Sequence, residues 1–271
     1  MTRVLRAAAL ALALSLPGAP PARAQDFTPG LASGPQPGAA ALLERALPQG
    51  PPAWGTEATS TRWFALPDLQ TRALAAQAGA RSVRVAAGLS QTGGPELGWT
   101  AAALAVGGAG PEGGAAVRAI ARRERAAGPL ATRGLAQGAG LEAGAGAWLL
   151  AAPGLVLWAS APQLWTRGEA PPLARPLELG ARLDRAGSAT WLALSAPVAG
   201  LDGERAAGVR LGTRTLALWA EARDAPWRAS VGLEARLRTL ALRCRVDAHP
   251  VLGETTTLAL AWPARGPWDA P

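Results

Sequence analysis

The chain has 271 residues, with 27 arginines, no lysine, 19 acids and one histidine, for a formal charge of +8. The lone Cys244 excludes a disulfide framework, and one His with one Cys is no ligand set for a zinc centre. Beyond its N-terminal segment, no apolar run is long and pure enough to cross a bilayer as a helix.

Residues 1–24 read as a cleaved signal peptide. Arg3 and Arg6 give a positive start, Ala7 to Leu16 form the apolar core, and Ala22-Arg23-Ala24 is a small-x-small cleavage site. The core falls short of the ~20 residues that a spanning helix needs. No Cys follows the site, so a lipoprotein is excluded. Removing the three arginines of this segment leaves 24 Arg against 19 acids, or +5. With Ala and Gly so abundant, that balance reads as the codon choice of a GC-rich genome on solvated positions, and no nucleic-acid partner is expected for an exported chain.

Residues 25–61 are rich in Pro and Gly, with one short helical possibility at Ala39 to Leu47, and read as a flexible periplasmic arm or a partial plug. Leu69 to Gly79 is Ala-rich and fits a helix or one further strand. Strands are expected near 81–90, 97–108, 114–124, 139–150, 154–162, 176–185, 189–198, 206–212, 214–223, 228–237, 240–248 and 253–262. Residues 62–263 form the barrel in this division, and 264–271 a C-terminal tail.

The clearest signal is alternation in the last third. Leu216, Leu218, Ala220 and Ala222 alternate with Ala217, Trp219, Glu221 and Arg223. Val231, Leu233, Ala235 and Leu237 alternate with Glu234, Arg236 and Arg238. Leu240, Leu242, Cys244 and Val246 alternate with Arg243, Arg245 and Asp247. Thr256, Leu258, Leu260 and Trp262 follow the same rule, as do Leu177, Leu179, Ala181 and Leu183 against Glu178, Arg182 and Asp184. Strand side chains point to opposite faces with period two, so each segment has one greasy face and one charged or small face. Several segments reach the ~9–11 residues that a tilted membrane strand requires. Short connections alternate with longer ones, as on the two rims of an outer-membrane barrel, which places His249–Leu252 outside the cell.

The expected fold is therefore all-β: an antiparallel transmembrane barrel of about 12 strands, or 14 if the segment before Arg81 adds a hairpin. Its predicted lumen lining is Glu178, Arg182, Asp184, Arg210, Glu221, Arg223, Glu234, Arg236, Arg238, Arg243, Arg245 and Asp247, seven Arg against five acids. Such a surplus predicts a mild anion preference in an open pore. Glu221 with Arg236 and Glu234 with Arg243 are candidate cross-braces.

Tyr is absent and Phe occurs twice, yet there are 11 Trp. Trp148, Trp158, Trp165, Trp191, Trp227 and Trp262 suggest aromatic girdles, where an indole meets both lipid and water. Trp219 falls on the charged face and is not expected in a girdle. No catalytic residue is assigned, because no Ser lies beside the only histidine, His249, in the local sequence. Gly107-Gly108-Ala109-Gly110 and Gly138-Ala139-Gly140 lack the Lys-Ser and helix of a phosphate loop.

The last hairpin, His249-Pro250-Val251-Leu252-Gly253-Glu254-Thr255 with the alternating Thr256 to Trp262, resembles that of bacterial PorV-type and FadL-like outer-membrane proteins. The run Leu173-Ala174-Arg175-Pro176-Leu177-Glu178-Leu179-Gly180 is similar to their Pro-then-Leu-x-Leu-Gly strand entry. The resemblance implies a barrel, typically of fourteen strands, in a group that includes a fatty-acid channel and a shuttle of a secretion system. It also implies that Leu260 and Trp262 serve as the terminal assembly signal, though Thr257 stands where Gly is expected and nine residues follow. The expected role is passive transport, channel-like, or structural at the cell outer membrane, with no enzyme activity and no cofactor. The alternatives are a soluble periplasmic β-sandwich binding protein and a secretion or assembly partner barrel. Expected partners are outer-membrane lipid, the barrel-assembly machinery, and a small solute or protein that the sequence does not name.

Overall fold

The computed structural model describes residues 38–48, 54–66, 69–80, 82–94, 97–126, 138–168, 177–195, 203–224, 227–249 and 251–262. The signal peptide, residues 25–37 of the arm and the tail 264–271 lie outside the described residues. A short helix, α1 (Ala39–Arg45), precedes the wall. The wall begins with β1 (Gly55–Arg62), β2 (Gln70–Ala80), β3 (Val83–Gly93), β4 (Leu97–Ala109), β5 (Gly113–Ala126), β6 (Ala139–Ala152) and β7 (Leu155–Gly168). It continues with β8 (Glu178–Arg185), β9 (Ser188–Ser195), β10 (Arg205–Gly212), β11 (Leu216–Arg223), β12 (Arg228–Leu237), β13 (Leu240–His249) and β14 (Gly253–Trp262).

Every strand pairs antiparallel with its sequence neighbours, and β1 closes on β14 from Thr56↔Trp262 to Arg62↔Thr256. One sheet closing on itself abolishes edges and excludes the two-sheet sandwich. The strand number is fourteen, the larger of the two expected. The extra hairpin is β1 and β2, so the wall starts at Gly55, inside the stretch assigned to the arm, and the ambiguous Leu69–Gly79 segment is strand.

Alternation dictates the faces. Leu242 is 53% exposed on the outside, while its neighbour Ala241 is 1% exposed on the inside. Leu218, Leu233, Leu258 and Leu260 share the outer face of the last strands with Leu242. Cys244 lies on that outer side and is a free thiol. Short links at Gly154, Gly187 and Arg238 lie on one rim together with the ends of β1 and β14; the longer connections lie on the other.

The seven-residue α1 is too short to persist alone in water. It is apolar nearly all round, and Ala39, Leu42 and Leu43 pack inside the barrel on Ala75, Ala86, Ala101, Ala103, Ala105, Ala116 and Ile120. Small wall residues leave the room that the helix occupies. Gly38 touches Glu57 of β1, and Ala46 lies against Gly146 of β6, so α1 crosses the lumen transversely. The arm thus places a partial plug inside the wall.

Candidate functional site

The candidate site is the lumen, and it is filled. Three wall donors hold the C-terminal end of α1: Arg118 Nη1 donates to the Leu43 carbonyl at 2.8 Å, Ser160 Oγ to that of Arg45 at 2.7 Å, and Trp148 Nε1 to that of Pro48 at 2.8 Å. The Leu43 and Arg45 carbonyls are among those that a helix end leaves without intrahelical partners, and Pro48 lies just beyond it. Arg45 adds an ion pair to Glu178 at 3.5 Å. A Cβ on Gly146 would fall 2.6 Å from the Arg45 and Ala46 carbonyl oxygens, so only glycine lets the two backbones meet there. Arg118 also pairs with Glu142 at 3.0 Å and donates Nε to the Pro162 carbonyl at 3.1 Å. Proline gives no ladder donor, and the β6–β7 register shifts between Ala143 and Ala145, opposite Pro162.

Beyond β7 the lumen is filled by the wall's own side chains. Glu234, 1% exposed, receives Arg210 at 3.1 Å, Arg236 at 2.6 Å and Arg243 at 3.0 Å. Arg243 reaches on to Glu57 at 2.9 Å, bridging β13 to β1 across the closing seam. Glu221 receives Arg223 at 2.8 Å and lies 3.9 Å from Arg245, which pairs with Asp247 at 2.5 Å. Arg182 pairs with Asp184 at 2.8 Å, and Glu204 joins Arg223 to Arg228. A buried charge is tolerable when it is paired and hydrogen-bonded in this way.

Tryptophans complete the filling. Trp158, Trp191 and Trp219 face Gly180, Gly208 and Gly232 in direct register on the next strand, and a Cβ on any of these glycines would fall 2.0–2.1 Å from an indole carbon. Each ring lies over the bare backbone of its glycine, a pairing that protects the ladder and fills space. Trp158 Nε1 donates to Glu178 at 3.0 Å and Trp191 Nε1 to Glu221 at 2.9 Å, while Trp219 Nε1 has no partner among the described residues. Trp148, Trp158 and Trp191 therefore line the lumen rather than a girdle. Exposed indoles remain near the rims: Trp54 and Trp262, edge to face at 4.5 Å, on one, and Trp165 and Trp227 towards the other.

Of the sequence-derived set, Glu178, Arg182, Asp184, Arg210, Glu221, Arg223, Glu234, Arg236, Arg243, Arg245 and Asp247 lie on inward positions of β8 and β10–β13. Arg238 does not: it is exposed in the β12–β13 turn at φ 54°. The Glu234–Arg243 brace forms; Arg236 also reaches Glu234 on its own strand, and Glu221 is approached by Arg223 and Arg245. Arg45, Glu57, Arg118, Arg122 and Glu142 also belong to the lumen and were not singled out. Their one legible sign is Arg118-x-Ile120-x-Arg122 alternating with Val117, Ala119 and Ala121. His249 is committed to a turn, its Nδ1 accepting the N–H groups of Val251 at 3.2 Å and Leu252 at 3.0 Å.

No family model and no curated protein matches the chain. Among solved structures, the chain is similar to the Acinetobacter baumannii outer membrane protein Omp33, with 10% identity, a TM-score of 0.45, and 79% of this chain and 98% of that one covered. It is also similar to a triple mutant of the Rhodopseudomonas blastica porin, with 8% identity, a TM-score of 0.41, and 77% and 98% covered.

Proposed function

We propose that this chain is an outer-membrane β-barrel of porin-like type whose passive conductance is held low by its own filling. The outward Leu and Val residues make an apolar band that water would not favour and lipid would, and a closed barrel satisfies every ladder group inside a bilayer. Export by the signal peptide 1–24 and insertion by the barrel-assembly machinery complete this reading, with Leu260 and Trp262 facing outward at the end of β14 as the assembly signal. Fourteen strands, the number typical of that group, support the resemblance to PorV-type and FadL-like proteins. No catalysis is proposed, since His249 serves a turn.

One observation carries the low conductance: the groups that would line an open pore are buried, Glu234 at 1% and Leu43 at 0% exposure. Counting Arg45, Glu57, Arg118, Arg122 and Glu142 and leaving out Arg238 turns the lumen set from seven Arg and five acids into nine and seven, so the surplus of two is kept and any selectivity is weakly anionic. Planar-bilayer recording tests the reading. The native protein is expected to give small, infrequent steps of weak selectivity, and a variant lacking residues 38–48 larger ones. Large, strongly cation-selective channels from the native protein would overturn it. Fractionation with unheated and boiled gel samples tests the location: a heat-dependent shift in the outer-membrane fraction is expected, and a soluble band without a shift refutes it.

A further inference from the structure

The outer wall is not uniformly convex. Across β3–β6 one outward row reads Leu89↔Ala102↔Ala121↔Leu141 in consecutive register, two alanines between two leucines. The alanines form the floor and the leucines the banks of a groove of about 700 Å³. Two cations stand at its long-loop end. Arg167 is in register with Leu141, and Arg123 lies two residues beyond Ala121 on the same face. Both are exposed, and neither is paired with an acid among the described residues. Inward arginines behave otherwise, as Arg118, Arg210 and Arg243 show.

We infer that this groove holds an anionic, phosphate-bearing membrane lipid, with an acyl chain along the alanine floor and the phosphate between Arg123 and Arg167. The inference rests on the membrane reading above and adds a specific occupant. Arginine binds phosphate through paired, charge-assisted hydrogen bonds. Near the end of the wall such a residue sits at the headgroup level, where an outward charge is cheap, while the leucines and alanines below it face hydrocarbon. A soluble protein partner would leave the apolar floor to be matched inside the bilayer, and free phosphate would leave it empty.

The test uses the detergent-purified full barrel with phosphatidylglycerol or phosphatidylcholine of identical chains, retained lipid being counted by native mass spectrometry. The native protein is expected to retain phosphatidylglycerol at least tenfold in preference to phosphatidylcholine. Arg123→Ala with Arg167→Ala should abolish that preference, as should the paired Gln variants. Ala121→Phe, which fills the groove with another outward apolar group, should lower retention of both lipids. Equal retention of the two lipids, a preference unmoved by the double variants, or full competition by millimolar inorganic phosphate would overturn the inference. The heat-dependent gel shift verifies that each variant is folded. Insertion into vesicles of pure phosphatidylcholine separates the two ideas: failure to insert refutes the membrane reading, and insertion without lipid preference refutes only the groove.

Discussion

The two halves of the lumen are filled by different means. From β1 to β7 the inner face is mostly small residues, Ala, Gly, Ser and Thr, with β4–β7 13 or 14 residues long, and its space is taken chiefly by α1, a separate piece of chain, beside the Arg118–Glu142–Arg122 cluster. From β8 to β14 the strands are 8 to 10 residues long, and the wall fills most of its own interior with tryptophan and Arg–Glu networks, the plug adding only Leu47 and the Arg45 side chain. One filling can leave without breaking the sheet; the other is part of it. The first half is therefore the side on which a passage could open, and the second the side that keeps the barrel narrow.

The sharpest challenge to this contrast is Glu234→Ala. Removing the acceptor of Arg210, Arg236 and Arg243 leaves buried cations without it, a change that costs roughly 3–5 kcal/mol when one partner of a buried pair is lost. Urea unfolding from lipid vesicles reads it, and a loss of under ~1 kcal/mol would mean that water already screens these charges and the half is open. Gly208→Ala pushes a methyl into Trp191 and should destabilise the wall by about 1–3 kcal/mol. Gly146→Ala makes the matching intrusion against α1, but the helix can move. Here urea stability should change by under ~1 kcal/mol while conductance rises, and an unchanged conductance would show that α1 is not the element closing its half.

The smallest effect compares two tryptophans. Trp191→Phe loses the bond to Glu221 and should cost about 1 kcal/mol, whereas Trp219→Phe loses no partnered donor and should be close to neutral on the same assay.

What could be read in advance followed the same division. In β8–β14, Leu or Val alternates with Arg or Glu, so both the strands and the inward residues were legible, apart from Arg238, where the alternation runs on into a turn. In β1–β7 alanine occupies both faces. Ala102 lies outside and Ala103 inside with the same side chain, so period two leaves little trace there. Glu57 was hidden by the Pro- and Gly-rich run before it, and Arg118 by the weak strand around it. The tryptophans misled because an indole at a membrane surface and an indole over a glycine look alike in sequence. The register partner that distinguishes them lies on another strand.

The pair between Arg243 and Glu57 joins residues 186 positions apart and exists only across the seam between the first and last strands. Glu57 is also the wall residue that Gly38, at the start of α1, rests against. While the sheet is still an open ribbon, neither the arginine's second carboxylate nor the near end of the helix seat is in place. Contacts of such long sequence separation form late, after the entropy of closing the loop has been met. Sealing the wall and completing the helix seat therefore share one carboxylate, so the two closures are linked through Glu57.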